Sequence, residues 1–222
     1  MTRRFHAARY ACGALSLIAA ALLAACHDKA AVSQENFTKT INDYLARRGN
    51  LCVGKFDWPI YVTTDDEAAR TRDAQQMPVL EKLGLVAGKS VTVERKGEDG
   101  ERITAQARQY DLTAEGQKYY LHVPVVIATA ARQVTHPADF CVAKLTLDKV
   151  VGWEPPQQRD GETKTSVLYT YKVEPAAWTQ DADVRRVFPM VQRVIEGAGT
   201  MQLRAGVRLT QDGWVAEEFF QR

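Results

Sequence analysis

The segment MQLRAGVRL, residues 201–209, alternates without a break. Met201, Leu203, Ala205, Val207 and Leu209 share one face, while Gln202, Arg204 and Arg208 share the other. A period of two is strand geometry, and one apolar face against one polar face marks an antiparallel sheet solvated on one side. Asp212-Gly213 follows as a turn.

Working outward, SVLYTYKV places Val167, Tyr169, Tyr171 and Val173 on one face. CVAKLTLDKVVGW does the same with Cys141, Ala143, Leu145 and Leu147, and Asp160-Gly161 marks the turn between these two runs. Between the second and third strands, DADVRRVFPMVQRVIEG carries Val184, Val187, Phe188, Val191, Val194 and Ile195 on one stripe. That spacing predicts an amphipathic helix, with Pro189 the place for a kink, able to cover the buried sheet face. Residues 125–222 therefore read as an antiparallel β-β-α-β-β sheet covered by one helix.

Residues 34–124 read as a helical part. SQENFTKTINDYLARRGN predicts a first helix, capped by Ser33, with Phe37, Ile41, Tyr44 and Leu45 at helical spacing and Gly49-Asn50 as its stop. FDWPIYV is a short extended piece. Thr64-Asp65-Asp66-Glu67 opens a second helix running toward Leu80, Leu83 and Gly84, where Pro78 offers a break or bend. SVTVERK and RITAQARQYDL, joined by Gly97-Glu98-Asp99-Gly100, read as a β-hairpin. LTAEGQKYY then forms a helical turn. VLEKLGLV, the hairpin and YDLTAEGQKYY together resemble the last helix, wing and following helix of winged-helix domains, over roughly residues 77–120. Leu83 and Leu85 would pack the helix end, Gly84 would permit a left-handed cap, and Thr113 would cap the next turn. The segment before Pro78, TTDDEAARTRDAQQ, mixes acids and bases, unlike a basic recognition helix. The resemblance therefore implies a protein-contact shape and not a reader of DNA. The fold class expected is α+β.

The chain begins with Arg3, Arg4 and Arg9 and then an uncharged run, ACGALSLIAAALLAA, from Ala11 to Ala25. About 15 residues at roughly 1.5 Å each cannot cross a bilayer core of about 30 Å. The pattern is that of a secretory signal peptide over residues 1–25. Leu23-Ala24-Ala25-Cys26 resembles the lipobox of bacterial lipoproteins. That resemblance implies lipidation of Cys26, which becomes the first residue of the mature chain. Several acyl chains give lasting attachment where one gives only reversible binding. His27 stands where Asp would favour the inner membrane in the enterobacterial sorting pattern, so the outer membrane, facing the periplasm, is expected, although Asp28 follows. Residues 26–33 would form a short flexible tether.

Removing 25 of the 222 residues leaves about 197, with about 26 basic against 27 acidic side chains. A near-neutral domain has no basic footprint for nucleic acid and no polybasic stretch for anionic lipid. Its partners are expected to be the membrane, through the lipid, and an envelope protein or small ligand. With Cys12 in the leader and Cys26 lipidated, Cys52 and Cys141 remain. In an oxidising compartment they most simply pair; two separate buried thiols are the alternative. Neither lies in a setting that would make a nucleophile.

The reactive inventory of the mature part is small. Ser33, Ser90 and Ser166 lie outside any Gly-x-Ser-x-Gly, and the histidines are His27, His122 and His136. His136-Pro-Ala-Asp139 matches no metal spacing, so His136 reads as an ordinary loop residue. His122, after Tyr119-Tyr120, reads as packed. The apolar residues are accounted for by helix and sheet faces, with no cofactor. Trp153, Tyr169, Tyr171, Trp178 and Trp214 gather around the sheet and its ends. Packing is the plain explanation, and a binding groove or interface the sharper one. The expected function is a non-enzymatic binding or interaction module of the cell envelope. The alternative is a periplasmic hydrolase of cell-wall material, which would require His122 or His136 to converge with carboxylates in one cleft.

Overall fold

The computed structural model describes residues 28–96, 99–129 and 132–220. The signal peptide, Cys26 and the hairpin-turn residues Gly97-Glu98 lie outside them. The fold is mixed, 30% helix and 44% strand, around a curled antiparallel sheet. Among the described residues, no helix is long and apolar enough to cross a membrane.

The chain opens with α1 (Gln34–Arg48), whose Ser33 hydroxyl accepts from the Asn36 N–H and so satisfies one free donor of the first turn. After β1 (Asn50–Cys52) and β2 (Ile60–Thr63), two helices follow, α2 (Thr64–Ala68) and α3 (Arg72–Lys82). The break expected at Pro78 falls at Arg70 instead. Arg70 adopts φ +52, and the Thr71 hydroxyl caps a fresh start by accepting from Ala74 N–H. Pro78 is carried inside α3. Gly84, at φ +71, supplies the left-handed residue that ends it.

β3 (Val86–Lys96) and β4 (Arg102–Leu112) form the hairpin, and β2 joins it in the order β2-β4-β3. Glu81 of α3 ties helix to hairpin, accepting from Arg108 Nη2 at 2.6 Å and from Gly88 N–H at 2.9 Å. The Arg108 guanidinium holds the Glu81 carboxyl below its ordinary range. Next come α4 (Ala114–Gln117), β5 (Tyr120–Leu121) and a separate hairpin, β6 (Val125–Ala128) with β7 (Gln133–His136).

The main sheet is built from β8 (Asp139–Trp153), β10 (Glu162–Pro175), β11 (Leu203–Thr210) and β12 (Gly213–Ala216), with β1 on the outer side of β8. Short β9 (Gln157–Arg159) pairs with β10 through the Asp160-Gly161 turn, both residues at positive φ. Between β10 and β11 lie α5 (Ala182–Val187) and α6 (Pro189–Glu196), separated at Phe188.

Two hydrophobic clusters hold the molecule, and each draws on both sides of residue 124. The first packs Met77, Leu80, Leu85 and Tyr110 with Phe140, Val142, Val184 and Phe188. The second packs Phe37, Ile41 and Leu45 with Val167, Tyr169, Tyr171, Val207 and Trp214. The helix that covers the sheet is therefore α1, lying on β8 and β12, and not the expected helix near residue 190. The reason is the double-sided start of β8. Phe140 and Val142 point away from the α1 side, and α5 and α6 bury that opposite face together with α3. Val194 connects α6 to the second cluster, its carbonyl accepting from the Tyr171 hydroxyl at 2.7 Å.

The chain before α1 is also docked. Asn36 Nδ2 donates to the carbonyls of Asp28 (2.9 Å) and Ala31 (2.8 Å), and Trp214 Nε1 lies 3.2 Å from the carbonyls of Ala30 and Ala31. The flexible tether expected over residues 26–33 is thus fixed to the body from Asp28 onward, because the backbone carbonyls of Asp28, Ala30 and Ala31 find donors there.

Candidate functional site

Cys52 and Cys141 are disulfide-bonded, as partners in the β1–β8 pairing. Just beyond Cys52, Gly54 at φ +71 turns the chain inward. Asp139 receives this turn: its carboxylate accepts from the N–H groups of Lys55 (2.8 Å), Phe140 (2.7 Å) and Gly54 (3.3 Å). Burial nevertheless raises the Asp139 pKa, outweighing those bonds. The Lys55 side chain is 1% exposed and its ammonium pairs with Asp73 of α3. Burial lowers the Lys55 pKa against the opposing pull of Asp73.

The turn, the start of α3 and the α5–α6 break enclose a cavity of about 720 Å³. Its wall is largely apolar, formed by Leu51, Val53, Val187, Phe188, Met190 and Val191. Arg72 and Arg186 also line it, and among the described residues no carboxylate does. Arg186 is paired with Asp183 at 3.0 Å, whereas Arg72 forms no ion pair among the described residues. The Arg72 guanidinium lies along Gly54, whose missing Cβ would stand 3.7 Å from it. Gln76 fastens the wall by donating from Nε2 to the Val187 carbonyl at 2.9 Å. Met190, 67% exposed, forms a flexible apolar rim. A wall of this kind with one convergent charge is the usual build of a small-molecule site. It can hold an aliphatic or aromatic body with an anionic group turned toward Arg72.

A second cavity, about 770 Å³, lies on the other side of Leu51 and Cys52, against the β6–β7 hairpin. Its cations are already engaged: Arg48 reaches Glu218 at 3.4 Å and Arg47 lies over the Phe219 ring.

The aromatic residues singled out in the sequence do not form a groove. Tyr169, Tyr171 and Trp214 are buried, and Trp153 packs with them, its ring 5.0 Å from Phe37. Trp178 belongs to the other cluster, edge-on to Tyr119. Tyr169 and Tyr171 were spaced as the inner face of β10, and the hydroxyl of Tyr171 and the indole N–H of Trp214 are spent on backbone carbonyls within the fold. Burial pushes the Tyr169 hydroxyl up to about 12.

His136 closes β7 and is not a loop residue; it stacks on Phe56 at 4.3 Å, with Nδ1 3.0 Å from Asp57. His122 is exposed between β5 and β6, not packed, since the short β5 ends before it. Neither histidine lines either of the two cavities described above. Ser33 caps α1, Ser90 lies in β3 and Ser166 in β10, and none is hydrogen-bonded to His136. Among the described residues, no group of three or more His, Cys, Asp or Glu is arranged to hold a metal ion. Compared with protein-family models, with curated proteins and with solved structures, the chain matches none.

Sequence reasoning missed the cavity. Arg72 and the Leu51–Gly54 turn carry no motif, and Phe188 and Val191 looked like ordinary core. The available signal was RVFPM, where a proline interrupts an apolar stripe beside an arginine.

Proposed function

We propose that the chain is a periplasmic lipoprotein, acylated at Cys26 and held at the outer membrane, whose globule is a non-enzymatic binding module of the cell envelope. Its ligand is an amphiphile with an apolar body and one anionic group. The observation that carries the binding role is the cavity beside Cys52, an apolar wall with Arg72 unopposed at its edge. The leader and lipobox support the anchoring, and the Cys52–Cys141 disulfide accords with an oxidising compartment. We read β2, α2, α3, β3 and β4 as a wing-like contact module, a reading supported by the strand order β2-β4-β3 with two helices between β2 and β3.

Calorimetric titration with dodecanoate tests the binding role. Saturable binding is expected, weakened roughly 10- to 100-fold by Arg72→Gln, the range for a hydrogen bond to a charged group. No saturation, or equal affinity in the variant, refutes it. The hydrolase reading rests on the His136–Asp57 pair. Cell-wall cleavage by the purified protein, lost in His136→Gln, would replace the binding reading.

A further inference from the structure

The docked start of the chain fixes more than the entry to α1. Asp28 is bonded to the body through its carbonyl, and Lys29 lies against Gly213, whose missing Cβ would stand 3.0 Å from the Lys29 carbonyl oxygen. Cys26 is two residues before Asp28, so its Cα cannot lie more than about 7 Å from that of Asp28. Any lipid on Cys26 must therefore enter the bilayer beside this end of the sheet.

That end exposes two apolar side chains, Val32 at 45% and Val151 at 46%. They flank one contact, the bond from Gln34 Nε2 to the Val150 carbonyl at 3.0 Å. Val151 is left over where the β8–β10 register shifts, with Val150 opposite Tyr169 and Gly152 opposite Leu168. The extra residue of such a bulge is left unpaired, and here its side chain is exposed. Exposed acids Asp28, Glu35 and Asp212 accompany Lys29 there, so charge does not draw this face to an anionic surface.

We propose that this face, centred on Val32, Val151 and the Gly213 turn, lies against the headgroup layer of the membrane, with the short link to Cys26 fixing the orientation. The proposal rests on the acylation of Cys26. The opposite end of β8, with the cavity beside Cys52 and the β6–β7 hairpin, then faces away from the lipid. Asp139 and Val151 are twelve residues apart in β8, up to about 40 Å of extended strand.

The test uses the full exported chain, purified with its lipid and reconstituted in phosphatidylcholine vesicles containing a headgroup-nitroxide lipid. Bimane is attached at Val151→Cys or, as the distant control, at Ile127→Cys on β6. Mass spectrometry of the N-terminal peptide reads acylation separately. Loss of emission at 151 and none at 127 is expected. Emission at 151 should return when a Gly-Ser linker of about sixteen residues, spanning roughly 22 Å, is inserted between His27 and Asp28. Equal quenching at both positions in acylated protein overturns the orientation and leaves the anchor standing. A Cys26 without lipid overturns the anchor, and the orientation with it.

Discussion

Replacing Cys52 and Cys141 together by alanine removes a cross-link that closes 89 residues of sequence. In the chain-entropy account, a loop of that length withholds about 15 cal/mol/K from the unfolded ensemble, or about 4.6 kcal/mol at 25 °C. This is a ceiling, since measured values for disulfides centre on about 2–4 kcal/mol. For a domain of this size, one kcal/mol moves Tm by about 2–4 °C, so the double variant should melt lower by up to about 9–18 °C. Because the effect acts on the unfolded chain, a second readout follows. Without the cross-link the unfolded state expands and exposes more surface, so the urea m-value should rise in the variant. Thermal and urea unfolding followed by far-ultraviolet circular dichroism measure both quantities. A Tm within about 2 °C of the parent together with an unchanged m would refute the reasoning. It would mean that the β1–β8 pairing is held by its backbone ladder alone and that unfolded chains are compact with or without the sulfur link.

Phe37→Ala should cost about 3–5 kcal/mol, the range for emptying a buried aromatic site. Its ring is fully buried and lies 5.0 and 5.2 Å from the rings of Trp153 and Trp214, so tryptophan emission should shift in the folded variant as well. Unchanged stability would remove α1 from the sheet's core. Lys55→Met should change how stability depends on alkaline pH. Burial lowers the folded lysine's pKa below its ordinary 10.5, so the unfolded chain holds the extra proton between those two values, and this group makes stability rise with pH across that window. The difference between parent and variant unfolding free energies, measured in urea from pH 7 upward, should show that rise. Parallel profiles would refute it.

Much of the framework was legible because each element declares its own period. The alternation of 201–209 and 167–173, the Ser33 and Thr113 caps, Gly84 and the Asp160-Gly161 turn are all local statements, and the structure makes the same ones. The covering helix was not legible. An amphipathic stripe records that a face is buried without naming what buries it, and two helices carried suitable stripes. β8 misled for a related reason. Its register shifts opposite Leu168/Tyr169 and Thr170/Tyr171, and a shift by one residue exchanges the faces, so one alternating pattern could not describe all fifteen residues. The cavity was hidden because three segments distant in sequence build it, each from residues that serve equally well as core.

The closure of α1 onto β12, marked by the Thr40 hydroxyl bonded to the Trp214 carbonyl across 174 positions, sets a timetable for the molecule. Among the described residues the first helix finds part of its seat when β8 appears, and its seat is complete only once β12 has followed. Contacts this remote bear a large loop-closure cost and form late. The β2-β4-β3 sheet with α3 is drawn from neighbouring sequence and can form early, whereas the α1 seat is closed last.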